Sequence, residues 1–516
     1  MRRYLFGDSL ENLEVLHYDV LICGSGIAGL YSGLHIDESK KCLIITKSNI
    51  EHSNSYLAQG GIAAVIAPDD KFESHIQDTL RAGAGLCNEE AVRVLVSEGP
   101  ENIRELVEMD VPFDVNPEGD LLITLEGGHT HRRIVHCGGD STGRKTTRRL
   151  GQIALTKKNI DVLFDTYLVD IITDNGKAIG AVIYDDGPKI VIAPNIILCT
   201  GGCGALYELT TNPKGAVGEG IAAARRAGAA IVNMEMVQFH PTTLVGKTER
   251  SENLFLISEA VRGEGGKLKN SKGERFMTNQ HELGELAPRD IVTRGIIREL
   301  EKSGESNVYL DVSSMTEEFF SHRFPTIFNV CREVGVNVPY ESIPVRPAQH
   351  YLMGGIKTNL DGMTNIEGLY ACGEVAWTGI HGGNRLASNS MLECLVFGRR
   401  AALDINKANR SNGDYVLPKT SDNNTESLSI EKIEEYESLI RRTMTEKVGA
   451  VRTVSGLTQA KELIDDIYDE IKTKHFSTPK QYELFSLVEV AQLIITHALG
   501  RKESIGAHYI ISEDNK

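Results

Sequence analysis

The sequence predicts an α/β fold (α+β overall): a Rossmann-like domain interrupted by an inserted capping domain and followed by a C-terminal helical bundle. Three observations predict it. An apolar, β-leaning run from Tyr18 to Cys23 enters Gly24-Ser25-Gly26-Ile27-Ala28-Gly29, then a helical segment through Ile36 and a second apolar run at Cys42 to Thr46, the strand, glycine turn, helix, strand order of a dinucleotide fold. From about Met234 to Arg346 the texture shifts to long polar connections, and Tyr351 to Asn409 then returns to strand, Gly-rich loop and helix. Beyond that, Ile430 to Leu499 carries apolar residues at helical spacing, among them Ile433, Tyr436, Leu439 and Ile440, which predicts about three helices.

The expected divisions are 1–233 with 348–408 for the nucleotide domain, 234–347 for the insert and 424–516 for the helical domain. Within the first, Asn195 to Thr200 is an apolar run meeting Gly201-Gly202, and Gly218-Glu219-Gly220 opens an Ala-rich helix that ends near Gly228. Helices are expected in the insert near Ser258, Arg289 and Phe319. The polar stretch from Asn409 to Ser427 reads as a linker.

With 516 residues the chain is long enough for several domains and a core of its own. Asp and Glu number 71 against 55 Lys and Arg, a net charge of −16, which disfavours nucleic acid or an anionic membrane as partner. An anionic substrate would need a local cluster of Arg and His against that field. The nine cysteines form no CxxC pair and no metal-site spacing; mostly inside apolar runs, they read as buried, reduced thiols. No apolar stretch is expected to reach the length of a membrane span. Met1 to His17 lacks the features of a signal peptide, so a cytoplasmic location is expected.

Three windows carry the chemistry. Gly24-x-Gly26-x-x-Gly29 allows a tight turn and close approach of a pyrophosphate to a helix N-terminus, pointing to a dinucleotide. The acid that would bind an NAD ribose after the second strand is missing; Lys47 stands there. Next, Ser53-Asn54-Ser55-Tyr56-Leu57-Ala58-Gln59-Gly60-Gly61 suits a loop threading beside a flat ring system. Third, Gly373-Glu374 and Gly379-Ile380-His381-Gly382-Gly383-Asn384-Arg385-Leu386-Ala387-Ser388-Asn389-Ser390 combine a strand-closing acid with glycines, Asn and Ser at a helix start.

These windows, with Thr200-Gly201-Gly202 and Gln238-Phe239-His240-Pro241-Thr242, resemble the flavoprotein family of succinate dehydrogenase, fumarate reductase and L-aspartate oxidase, from about Tyr18 to Gly506. The resemblance implies FAD. Carried over by motif, Ser25, Gly26, Ile27 and Ala28 meet the pyrophosphate and Lys47 follows the second strand. Asn54, Ser55, Tyr56, Leu57, Ala58, Gln59, Gly60 and Gly61 line the flavin. Glu219 and Glu374 reach ribose or ribityl hydroxyls, and Ser390 with Met391 the ring edge. Asn54 stands where the membrane-complex members attach FAD through a His, so non-covalent FAD is implied. Glu126-Gly127-Gly128-His129 resembles the mobile substrate loop of the aspartate-oxidising branch, in which a Glu handles the substrate amino group. Ile505 replaces an Arg common in relatives, which bears on how the helical domain docks.

A dicarboxylate beside a buried flavin needs converging cations, because desolvated ions cost several kcal/mol each unless paired. Four are expected: His240, Arg289, His350 and Arg385. Arg385 with His350 is assigned to one carboxylate; His240 with Ser258 and Gln238 to the other. Arg289 is the family's proton donor and acceptor, to be held by nearby carboxylates, Glu259 and Asp290, since a free Arg is a poor base. The resemblance implies hydride transfer from L-aspartate to the flavin, giving iminoaspartate, with O2 or fumarate as acceptor. It also implies a place in de novo NAD synthesis, quinolinate synthase consuming the product. The rival is a soluble fumarate reductase or succinate dehydrogenase flavoprotein subunit; Glu126 discriminates between the two.

Overall fold

The computed structural model describes residues 2–246, 253–408, 410–411, 415–420 and 426–511. The linker expected at 409–427 lies partly outside them. A parallel sheet runs in the order Leu369–Ala371, Asn195–Leu198, Val20–Cys23, Cys42–Ile45, Ile160–Leu163. Its three central strands are buried at every residue, as a parallel sheet covered on both faces requires. Their side chains divide by alternation. Val20, Ile22, Cys42 and Ile44 join one core with the Ile27–His35 and Asn389–Lys407 helices, while Leu21, Cys23, Leu43 and Ile45 join another. That second core also takes in a four-stranded sheet made of Glu14–His17, Pro188–Ile192, Lys177–Tyr184 and Tyr167–Asp174.

The insert has its own core and an antiparallel sheet in the order Val237–Leu244, Ile343–Leu352, Val308–Asp311, Lys267–Lys269. The Ile343–Leu352 strand crosses the expected division at 347/348, so the sheet joins the two regions there. Its pairing with Val237–Leu244 is irregular twice. Gln238 faces Tyr351 and Phe239 faces Gln349, which leaves His350 as an extra residue; His240 faces Ala348 and Thr243 faces Arg346. Bulges of this kind re-aim side chains.

Helices Ile430–Lys447, Val454–Ile471 and Pro479–Gly500 form the C-terminal part and pack on one another. Pro479–Gly500 overturns one expectation. It has 22 residues and a mean hydropathy of 1.3 in its most apolar window, long and apolar enough to cross a membrane. That window is 67% buried against the rest of the protein, so its apolarity is accounted for by a core-helix role. Among the described residues it is the one such helix. Where Ile505 stands, Arg294 donates to the Gly506 carbonyl at 3.1 Å, the Ala507 amide donates to the Gly383 carbonyl at 2.8 Å, and Ile505 packs against the cluster of Met236, Tyr351 and Met353. All nine cysteines are free, seven of them buried.

Candidate active site

The first glycine turn is built for close approach. Gly24 has φ +115°, and a Cβ there would fall 2.1 Å from the Cys199 carbonyl oxygen; one at Gly29 would fall 1.9 Å from the oxygen of Gly24. No side chain caps the Ile27–His35 helix at Gly26, and the Ile27 amide donates to Ser55 Oγ at 3.0 Å. The helix N-terminus and the Asn54–Gln59 segment therefore face one cleft. It is bordered by Gly26, Ala28, Asn54–Gln59, Glu374, Ser390 and Met391. Gln59 Oε1 is buried there without a hydrogen-bond partner, and burial pushes the Glu374 carboxyl up to about 7. The free N–H groups of the glycine-lined helix N-terminus fit a pyrophosphate, and an unspent acceptor beside them fits the hydroxyls of a dinucleotide.

The other residues expected at the cofactor make these contacts. Lys47 Nζ reaches the Gly215 carbonyl, Glu483 at 3.1 Å and Glu219 at 3.3 Å. Glu219 Oε2 is otherwise buried without a hydrogen-bond partner. Ser25 Oγ donates to Thr46 Oγ1 at 2.8 Å. Gly61 threads against the Val135 backbone, whereas Gly60 lies under Glu126 Oε1, which a Cβ there would meet at 3.3 Å.

A second cavity gathers Glu126, Glu259, Arg289 and Arg385 on one lining. Arg289 Nε donates to Glu259 Oε2 at 2.5 Å, both side chains being buried. Burial alone would raise the Glu259 carboxyl, but Arg289 and Arg262 outweigh it and hold the group below its usual range. Asp290, the other carboxylate near Arg289 in sequence, pairs with Arg294 instead. Arg385 lies with its guanidinium carbon 4.3 Å from the Tyr351 ring centre and donates to Ser390 Oγ. Burial, then Arg289, lowers it to about 10. Glu126 is buried and accepts from Ser388 Oγ at 2.6 Å; burial raises its pKa. Ser388 takes a left-handed φ of +62°, and backbone strain of this kind concentrates at functional sites.

The histidines differ from expectation. His240 and His350 are neighbours, ring centres 5.1 Å apart. Both lie well below the ordinary His pKa, through burial first and then, for His240, Arg289 and His350, and for His350, Arg385 and Arg289. The four expected cations are therefore two guanidiniums and two neutral rings. The Thr242 amide donates to His240 Nδ1 at 3.2 Å, which leaves the ring proton on Nε2, a buried nitrogen with no partner. His350 Nδ1 lies 2.8 Å from Thr211 Oγ1. Ser258 Oγ accepts from the Ala260 amide and caps the Glu259–Gly263 helix. Gln238 meets the arginines: its Oε1 accepts from Arg289 Nη1 at 3.1 Å and from Arg385 Nε at 3.2 Å.

Sequence reasoning missed the support behind these groups. Tyr351 donates to Glu393 at 3.0 Å, and Glu393 also holds His381 and Thr378. Arg133, wholly buried, pairs with Asp70 and Asp78 and so secures the loop that carries Glu126. No periodicity distinguishes these residues; the Gly-rich window containing His381 was their one signal.

A glycine-lined dinucleotide cleft opening onto paired arginines and carboxylates defines a flavoprotein oxidoreductase. Residues 19–391 match the FAD binding domain family, and residues 437–513 the fumarate reductase flavoprotein C-terminal family. The chain is 40% identical to L-aspartate oxidase of Streptomyces coelicolor, covering 95% of this chain and 88% of that one. It is 42% identical to L-aspartate oxidase 1 of Ralstonia nicotianae, covering 96% and 95%. A solved quinol-fumarate reductase with menaquinol superposes with a TM-score of 0.88 at 29% identity, covering 97% of this chain and 93% of that one. The chain belongs to the L-aspartate oxidase branch of the succinate dehydrogenase and fumarate reductase flavoprotein family, and its cofactor is FAD.

Proposed function

We propose that this protein is an L-aspartate oxidase, oxidising L-aspartate to iminoaspartate. The observation that carries the reading is the buried Glu126 carboxylate sharing a cavity with Arg289 and Arg385: an acid for an ammonium beside cations for carboxylates. FAD, held by Gly26, Ala28, Asn54–Gln59, Glu374, Ser390 and Met391, supplies the hydride acceptor for the substrate α-carbon.

The chain's own residues position the substrate and handle its protons. Arg385 grips one carboxylate through the Nη2 edge that its bonds from Nε to Gln238 and from Nη1 to Ser390 leave free, with His350 beside it. The unpartnered Nε2–H of His240 and the Ser258 hydroxyl donate to the other. A neutral donor costs less to desolvate than a cation, so the burial of both histidines does not count against them. Glu126 accepts from the ammonium and afterwards holds the neutral amine. Arg289 is oriented by Glu259, whose second oxygen faces Arg262 at 3.8 Å.

O2 or fumarate as electron acceptor, quinolinate synthase as consumer of the product in de novo NAD synthesis, a cytoplasmic location and the three-part domain division belong to this proposal. Anaerobic titration of the purified protein with L-aspartate tests it. The reading expects the flavin absorbance to bleach without any partner protein. Bleaching with succinate and not with L-aspartate would replace it with the dehydrogenase-subunit reading.

A further inference from the structure

We infer that Gln238 is a positioning residue, and that its side-chain amide ties the proton-moving guanidinium of Arg289 to the carboxylate-gripping guanidinium of Arg385. The inference rests on the L-aspartate oxidase reading and revises one part of it, the assignment of Gln238 to the substrate. A glutamine amide has two acceptor sites on oxygen and two donor hydrogens on nitrogen. In Gln238 all four are in use. Oε1 accepts from Arg289 at 3.1 Å and Arg385 at 3.2 Å; Nε2 donates to Asn384 Oδ1 at 2.9 Å and to the Arg385 carbonyl at 3.0 Å. The residue is 1% exposed. No hydrogen-bonding capacity remains for a substrate.

The arrangement answers an electrostatic difficulty. Two buried guanidiniums repel, and each lowers the tendency of its neighbours to hold a proton. Arg289 has a carboxylate partner in Glu259, whereas Arg385 has only neutral ones: the Tyr351 ring, Ser390 and Gln238. A carboxylate between them would neutralise the charge a dianionic substrate needs, and an apolar side chain would let them separate. A shared amide oxygen does neither. It also fixes where along a substrate held by Arg385 the Arg289 guanidinium falls. The Nε2 bonds anchor the bridge to the Asn384-Arg385 backbone, so the spacing belongs to the loop and the Val237–Leu244 strand together.

Three variants separate positioning from binding: Gln238→Met, which removes the acceptor at similar volume; Gln238→Asn, which keeps the amide but shortens its reach; and Gln238→Glu, which keeps the oxygen and adds charge. Each is checked for FAD content by absorbance. Succinate affinity is measured by its perturbation of the flavin spectrum, and the reduction rate by anaerobic stopped flow with saturating L-aspartate. Met and Asn should slow reduction by about 100-fold, the scale of a 1 Å misplacement, while succinate affinity stays within about 5-fold. Glu should show the reverse split, weakening succinate by at least about 10-fold and slowing reduction less. Equal losses of affinity and rate in Met and Asn would return Gln238 to substrate contact, and unchanged reduction in both would end the inference. If wild-type protein itself is not bleached by L-aspartate, the oxidase reading has failed, which is a separate result.

Discussion

Arg289 and Glu259 meet through a 2.5 Å charge-assisted hydrogen bond inside the protein, with Arg262 3.8 Å from the carboxylate's other oxygen. Two guanidiniums thus share one buried carboxylate, while Arg385 has none. Glu259→Gln keeps the shape and removes the charge. It should slow flavin reduction by about 100-fold or more, an effect that misplacement of the proton-moving group alone can reach. Stopped-flow absorbance measures it; a wild-type rate at full occupancy would exclude Glu259 from proton handling.

Glu126 is expected to discriminate by the amino group. Glu126→Gln removes the charge that pairs with the ammonium, and a hydrogen bond to a charged group is worth about 1.5–3 kcal/mol. The KM for L-aspartate should therefore rise by about 10- to 100-fold. Succinate, which has no ammonium, should bind within about 3-fold of wild type. Parallel weakening of both ligands would show that Glu126 supports the loop and does not read the substrate.

Arg133 holds Asp70 and Asp78 where none of the three sees solvent. Removing one partner from such a group strands the other charges and costs about 3–5 kcal/mol. Arg133→Met should lower unfolding stability by that amount in a urea titration. Loss below about 1 kcal/mol would mean that the acids find other partners.

His75 and His129 are buried neutral, with pKa values lowered by burial to about 3 and about 4. The unfolded chain binds protons at these rings below about 6.5, while the folded chain does not. Their contribution is therefore complete above pH 6.5 and is lost as pH falls from there toward 3. Each ring adds at most about 1.4 kcal/mol per pH unit to that slope. Melting temperature should fall from pH 7 to pH 5, and less steeply in His75→Gln; equal slopes in both proteins would contradict the assignment.

The chain's local order announced a good deal. Strand, glycine turn and helix at Tyr18–Ile36 were legible because Gly24 and Gly29 leave no room for a Cβ, a demand that one residue type alone meets. The C-terminal helices were legible from apolar spacing, since one buried face per helix writes its period into the sequence. The candidates His240, Arg289, His350 and Arg385 were found from motifs and from the charge balance.

Only the tertiary structure decided what those groups are to one another. Protonation depends on surroundings brought from distant segments, so two expected histidine cations became neutral rings once they were buried, with Arg289 and Arg385 packed beside them. Pairing depends on direction, so Lys47 turned to Glu219 and Glu483, and Gln238 to two arginines, with no trace in spacing. Sequence sets the chemistry each side chain carries. Burial and hydrogen-bond capacity, exhausted within a few ångströms, set which neighbour receives it.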